Sequence, residues 1–87
     1  MDSCRVEFRR SAEKDLRRIA TNQLPQIVEA IRALENEPLP PGVRKLVGGE
    51  CFYRIRIGDY RVVFQWFART KLVVIEKIRH RKDVYRE

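Results

Sequence analysis

The order of apolar patterns along the chain predicts an α+β fold: a short N-terminal strand, a helical hairpin, then an antiparallel meander of three or four strands. Three observations carry this prediction. Apolar residues recur at helical spacing only between residues 11 and 37. From residue 51 onward they alternate with a period of two. The chain has 87 residues, enough for one core, so residues 1–87 are expected to form a single domain. Helices gathered early and strands gathered late pack as a helical layer on one face of one sheet.

The elements follow in order. Arg5-Val6-Glu7-Phe8 alternates polar and apolar and reads as a short first strand. Ser11 is a candidate N-cap for a helix carrying Ala12, Leu16, Ile19 and Ala20 on one stripe. Glu13, Lys14, Asp15, Arg17 and Arg18 fall between them and read as a solvated outer face. Thr21-Asn22 interrupts the pattern and can cap a second helix, with Pro25 in its first turn, where a missing N–H does little harm. Leu24, Ile27, Val28, Ile31 and Leu34 form its apolar stripe, with Ala30 beside it, and Glu37-Pro38 is the expected stop. Leu39-Pro40-Pro41-Gly42 is a stiff connector. Residues 43–47 are expected to be extended, with a break at Gly48-Gly49. Cys51 to Ile57, Tyr60 to Phe67 and Leu72 to Arg79 read as three consecutive strands, and residues 80–87 as a polar tail.

Hydrophobic residues make up 44% of the chain, which argues for a folded core over disorder. No apolar run approaches a membrane span, and the first residues carry no apolar signal segment, so a soluble cytoplasmic protein with no membrane partner is expected. Cys4 and Cys51 each start a strand-like run and read as small buried side chains. One histidine and two distant cysteines do not make a metal site, and neither metal nor cofactor is expected. The net charge is +7, and all of it lies after residue 43. Residues 1–43 hold seven basic and seven acidic side chains, whereas residues 44–87 hold twelve and five. Most of those twelve are arginines, whose planar fork grips phosphate bidentately. A field concentrated in this way suggests nucleic acid or another acidic partner.

The stretch Tyr53 to Arg61 gives that charge a geometry. A two-residue Gly58-Asp59 turn pairs Ile57 with Tyr60, and therefore Arg56 with Arg61, Ile55 with Val62 and Tyr53 with Phe64. Arg54, Arg56 and Arg61 then share one face. Tyr53, Ile55, Ile57, Tyr60, Val62 and Phe64 share the other. Like charges side by side cost stability, so an oligoanion is the expected compensation. The register of the next hairpin is open. A three-residue loop at Arg69-Thr70-Lys71 would set Arg79 opposite Arg61, and a two-residue loop would turn Arg79 to the other face.

The string Lys45-Leu46-x-Gly48, then Tyr53-Arg54-x-Arg56-x-Gly58-Asp59-Tyr60-Arg61-Val62, then Arg79-His80-Arg81-x-Asp83-Val84-Tyr85 resembles the RelE/ParE superfamily of toxins from type II toxin–antitoxin modules. The ending is closer to the RelE branch. The resemblance implies a RelE-like microbial RNase toxin fold and a small, metal-independent endoribonuclease, an mRNA interferase that enters the ribosomal A site and cuts the mRNA there. It implies three partners: the ribosome, the mRNA and a cognate antitoxin protein. ParE-like relatives inhibit DNA gyrase instead, and that is the alternative reading, beside a catalytically weak RNA-binding relative. Carried over by motif, the catalytic positions are Arg54, Arg56, Arg61, Arg79 and Tyr85. The best-known members carry lysine where this chain has Arg54 and Arg56, and arginine stays protonated, so the identity of the general base does not carry over.

RNA is cut without metal when its 2′-hydroxyl attacks the adjacent phosphate. That needs an in-line nucleophile, stabilised phosphorane charge and proton transfer. Arg54, Arg56, Arg61 and Arg79 suit the second task, and Tyr85 could stack on a base. His80 is the one histidine, the residue type suited to proton transfer near neutrality, and is the candidate general acid or base; the alternative is a surface histidine in the tail. Glu50 and Asp83 are weaker base candidates. Arg44, Lys45, Arg81 and Lys82 are candidate RNA contacts. Asp59 is read as a turn residue.

Overall fold

The computed structural model describes residues 3–48 and 51–84. Its elements are β1 (Arg5–Phe8), α1 (Arg10–Leu16), α2 (Leu24–Ala33), β2 (Arg44–Lys45), β3 (Phe52–Ile57), β4 (Tyr60–Phe67), β5 (Leu72–His80) and α3 (Arg81–Val84). The strands form one sheet in the order β1-β5-β4-β3-β2. β2 through β5 are the four-stranded antiparallel meander, and β1 adds to its far edge parallel to β5. None of the described helices is long and apolar enough to cross a membrane.

The helices cover one face. Ala12, Ile27, Ile31 and Leu34 pack on Ile57, Tyr60, Val62, Phe64, Val73, Ile75 and Ile78, all of them buried. Phe64 lies fully inside and stacks on Tyr53, with ring centroids 6.0 Å apart. Burying each Val, Leu, Ile or Phe side chain of this layer contributes roughly 1.5–3 kcal/mol, which fixes the helices on the sheet. Val28 departs from its stripe and is exposed, because α2 turns it past the sheet edge toward Phe8. Cys4 is buried and Cys51 half-buried, both free.

Both helices end earlier than the apolar pattern predicts. α1 is capped by Arg9, not Ser11. Ser11 instead lies in the first turn, where its hydroxyl donates to the Glu76 carbonyl at 2.7 Å. α2 begins after Gln23, with Pro25 in its first turn, and ends at Ala33, ahead of Glu37-Pro38. The expected polar tail starts with the short helix α3. The Arg81 N–H donates to the Asp59 carbonyl at 2.7 Å, which ties α3 to the β3–β4 turn.

That turn sets the register of the site. Gly58 takes φ 58°, whereas Asp59 is not among the left-handed residues. The turn is therefore of the II′ kind, with glycine at its first central position. Asp59 takes the second central position, as its reading as a turn residue implies, and its carbonyl and its carboxylate both face Arg81.

The second hairpin takes neither predicted form. Phe67 pairs with Leu72 across a four-residue loop, with Lys71 at φ 54°. A bulge at Glu76 then shifts the register by one residue. The two departures together give the pairing a three-residue loop would have given: Arg61 faces Arg79.

Candidate nucleic-acid interface

Two rows of basic residues cross the face that the helices leave open. In one, Arg56, Arg61 and Arg79 are successive cross-strand partners on β3, β4 and β5. In the other, Arg44, Arg54, Val63 and Lys77 run from β2 to β5. Residues directly opposite lie about 4.5–5.5 Å apart at Cα. Rows two residues apart along a strand are separated by about 6.6 Å. The sheet therefore anchors these basic side chains a few ångströms apart at their Cα atoms.

At the β2–β3 end of these rows lies a groove of about 470 Å³ lined by Pro41, Gly42, Arg44, Arg54, Ile55, Arg56 and Arg61. The stiff connector forms one wall and β3–β4 the floor. Arg54 and Arg61 are half-buried and Arg56 is exposed. Half-burial strips water from a guanidinium and strengthens its pull on an anion. No acidic residue lines the groove among the described residues.

Arg79 is held differently. Its Cα belongs to the first row, but its guanidinium Nη1 donates to Asp15 Oδ2 on α1. Asp15 is buried, against the expectation of a solvated helix face. Its Oδ2 also accepts the Ile78 N–H at 2.9 Å. β1 ends at Phe8 opposite Ile75, so beyond that point β5 would be a bare edge. Ser11 and Asp15, one helical turn apart, supply the missing partners at Glu76 and Ile78. A buried carboxylate persists only when paired, and losing one partner of such a pair costs about 3–5 kcal/mol.

His80 lies apart from the groove. It pairs with Tyr60 across the strands and so lies on the helix side of the sheet, opposite to the groove. Its ring packs edge-on against Tyr60, with centroids 5.1 Å apart, and its Nδ1 accepts the Lys82 N–H at 3.1 Å. A smaller cleft of about 220 Å³ holds it together with Asp15, Arg18 and Arg79. Tyr85 and Glu50 lie outside the described residues, as does the side chain of Asp83.

The outer RNA candidates divide in the same way. Arg44 lines the groove. Lys45 pairs with Tyr53, so the strand period turns it to the helix side. Arg81 and Lys82 are exposed on α3 beside the β3–β4 turn. The sequence reading missed Lys77, which the bulge brings onto the open face, and Asp15. Arg9, outside the motif and read from the sequence only as a general backbone or ribosome contact, pairs with Glu76 and reaches Gln65 on the same face.

The family model described as the ParE toxin of the type II toxin–antitoxin system parDE matches residues 6–85. Toxin RelG of Mycobacterium tuberculosis is 33% identical over 84 residues, covering 93% of this chain and 94% of its own. Among solved structures, the archaeal RelE–RelB complex from Pyrococcus horikoshii matches with a TM-score of 0.80 at 31% identity, over 91% of this chain and 96% of the other. The Mycobacterium tuberculosis RelBE2 toxin–antitoxin complex matches with a TM-score of 0.80 at 26% identity, over 90% and 98%. A mixed sheet with a helical hairpin on one face and a basic groove on the other, together with these matches across nearly the whole chain, places the protein in the RelE/ParE superfamily of type II toxins.

Proposed function

We propose that this type II toxin is a metal-independent endoribonuclease that cuts mRNA in the ribosomal A site, in the cytoplasm, and that a cognate antitoxin neutralises it. The observation that carries the reading is the groove of Arg44, Arg54, Arg56 and Arg61 on a rigid sheet. In the reaction the 2′-oxygen attacks the adjacent phosphorus and the bond to the 5′-oxygen breaks. The products are a 2′,3′-cyclic phosphate and a 5′-hydroxyl. One proton leaves the 2′-hydroxyl and one is delivered to the departing 5′-oxygen. Arg54, Arg56 and Arg61 neutralise the phosphorane, with Arg79 at the margin of the row. Preorganised cations aimed at developing charge are worth several kcal/mol in a half-dry site. Tyr85, from the motif, is the stacking partner for a base. His80, on the far side of the sheet, is assigned to packing on Tyr60 instead of proton transfer. The named RelE toxins and RelE–RelB complexes among the relatives support both the antitoxin partner and the RelE branch.

The test is to induce the protein without an antitoxin and to map mRNA 5′ ends by primer extension. New ends within translated codons are expected. The matching family model is described as a ParE toxin, which keeps gyrase inhibition as the second reading. Supercoiling defects and DNA-damage induction with intact mRNA would establish that reading, and absence of toxicity would mark an RNA-binding relative without activity.

A further inference from the structure

We propose that Phe52 is a base-stacking residue beside the groove, on which a base of the bound RNA lies flat. The proposal rests on the endoribonuclease reading and adds to it a subsite outside the toxin motif. Phe52 opens β3 and pairs with Gln65 on β4, which pairs with Val74 on β5. Arg54 is two residues further along the same strand. The strand period therefore puts Phe52 on the uncovered face, about 6.6 Å from Arg54 at Cα. Val63, Phe67, Leu72 and Val74 share that face by the same period. All five are only half-buried, and none belongs to the side chains packed on the core under the helices. Apolar residues left together on an open face mark an interaction site.

Two observations point to RNA as the occupant. The apolar patch is continuous with the groove, because Phe52 neighbours Arg54, which lines it. A second cation reaches Phe52 from the far edge of the sheet. Arg9 Nη2 donates to Oε1 of Gln65, the cross-strand partner of Phe52, at 3.4 Å, and Glu76 holds the same guanidinium at Nε. An aromatic ring between two arginines matches the chemistry of one nucleotide in a strand, a π-face with an anionic linkage on either side. Single-strand binders are built in this way, with cations along the backbone and aromatic rings under the bases. α3 leaves the sheet at the β3–β4 turn, whereas Phe52 stands at the other end of β3, with the arginine rows between them.

The probe is a short single-stranded RNA, 2′-O-methylated so that it is not cut, and its binding to the full chain is followed by fluorescence anisotropy. Phe52→Ala should weaken binding by about 10-fold. The slope of log K against log salt should stay as in the wild type, because no phosphate contact is lost. Phe52→Leu keeps an apolar side chain without the ring and should lose nearly as much; it carries the test if Phe52→Ala does not fold. Phe52→Tyr should bind as the wild type does. An abasic oligomer of the same length should bind the wild type and Phe52→Ala alike. Unchanged RNA binding by the folded variants would overturn the proposal. If those variants instead bind an antitoxin less tightly, the face belongs to a protein partner. An equal loss on the abasic oligomer would also overturn it, as the mark of a disturbed groove and not of a lost stack.

A second readout reports the contact directly. Phe52→Trp places an indole on the open face, whereas the native Trp66 packs on the helix side. Emission of the added indole should be quenched by the RNA and not by the abasic oligomer. No quenching at saturating RNA would overturn the stacking, as would failure of the wild-type protein to bind the probe. Cleavage separates this proposal from the reading it rests on. A protein that shows the quenching but cuts no mRNA would lose the endoribonuclease reading and keep the subsite. A protein that cuts mRNA, and whose Phe52→Ala variant binds and cuts equally well, would lose the subsite alone.

Discussion

Arg56 on β3 and Arg61 on β4 are direct cross-strand partners on the uncovered face of the sheet. Two cations in that relation oppose folding, by about 0.2–1 kcal/mol relative to a neutral pair. Arg61→Ala should therefore leave the protein as stable as the wild type or slightly more so, while cleavage falls by at least about 10²-fold. Thermal melting and primer extension on the same preparations check this. A clear loss of melting temperature would contradict the placement of Arg61 on an open basic face.

The groove also fixes how RNA binding responds to salt. Each phosphate neutralised on a single strand contributes about −0.7 to the slope of log K against log salt. Arg54→Ala removes one groove cation and should make the slope shallower by about that amount. Lys45→Ala, on the helix side, should leave the slope unchanged. Fluorescence anisotropy with a short RNA at several salt concentrations measures both. Equal effects from the two variants would mean that binding follows net charge, not the groove.

These predictions stand on features that differ in how far the sequence reveals them. The pairing of Arg56 with Arg61 is legible because a two-residue turn and a period of two leave no freedom. The position of Arg79 is not, because a four-residue loop and a bulge cancel each other. A trace of the bulge is present: Val73 and Ile75 alternate, but the next core residue is Ile78, three positions on. Asp15 looked solvated among Glu13, Lys14, Arg17 and Arg18, since its partners lie more than sixty residues away and no local pattern reports them. The edge position of β1 is non-local in the same sense. His80 shares a motif with Arg79, and although neighbours along a strand start toward opposite faces, the Arg79 side chain turns to Asp15, so both line the cleft beside α1 and neither lines the groove.

His80→Gln follows from that separation. The ring packs on Tyr60 and accepts the Lys82 N–H, so the substitution should cost part of the aromatic contact, about 0.5–1.5 kcal/mol. The cleavage rate and its pH profile should stay as in the wild type. Loss of a limb from that profile would show that His80 reaches the reacting atoms and that the C-terminal end of β5 rearranges on the ribosome.

The last prediction concerns the turn that sets the first row. Gly58 sits at φ 58°, a region L-residues enter at a cost of roughly 1–2 kcal/mol. A Cβ there would find its nearest neighbour, Gln23 Oε1, at 3.5 Å, an ordinary contact. The penalty of Gly58→Ala is thus conformational and not a clash. It should appear as a loss of about 1–2 kcal/mol in chemical denaturation, and as a fall of about 4–8 °C in melting temperature per kcal/mol. Gly58→Asn should lose less, because asparagine tolerates left-handed angles better than alanine. Cleavage by Gly58→Ala, measured well below its melting temperature, should remain near wild type, since the Ile57–Tyr60 pairing that aligns Arg56 with Arg61 is kept. A large loss of activity in the folded variant would mean that the turn has changed type and moved the two arginines out of register.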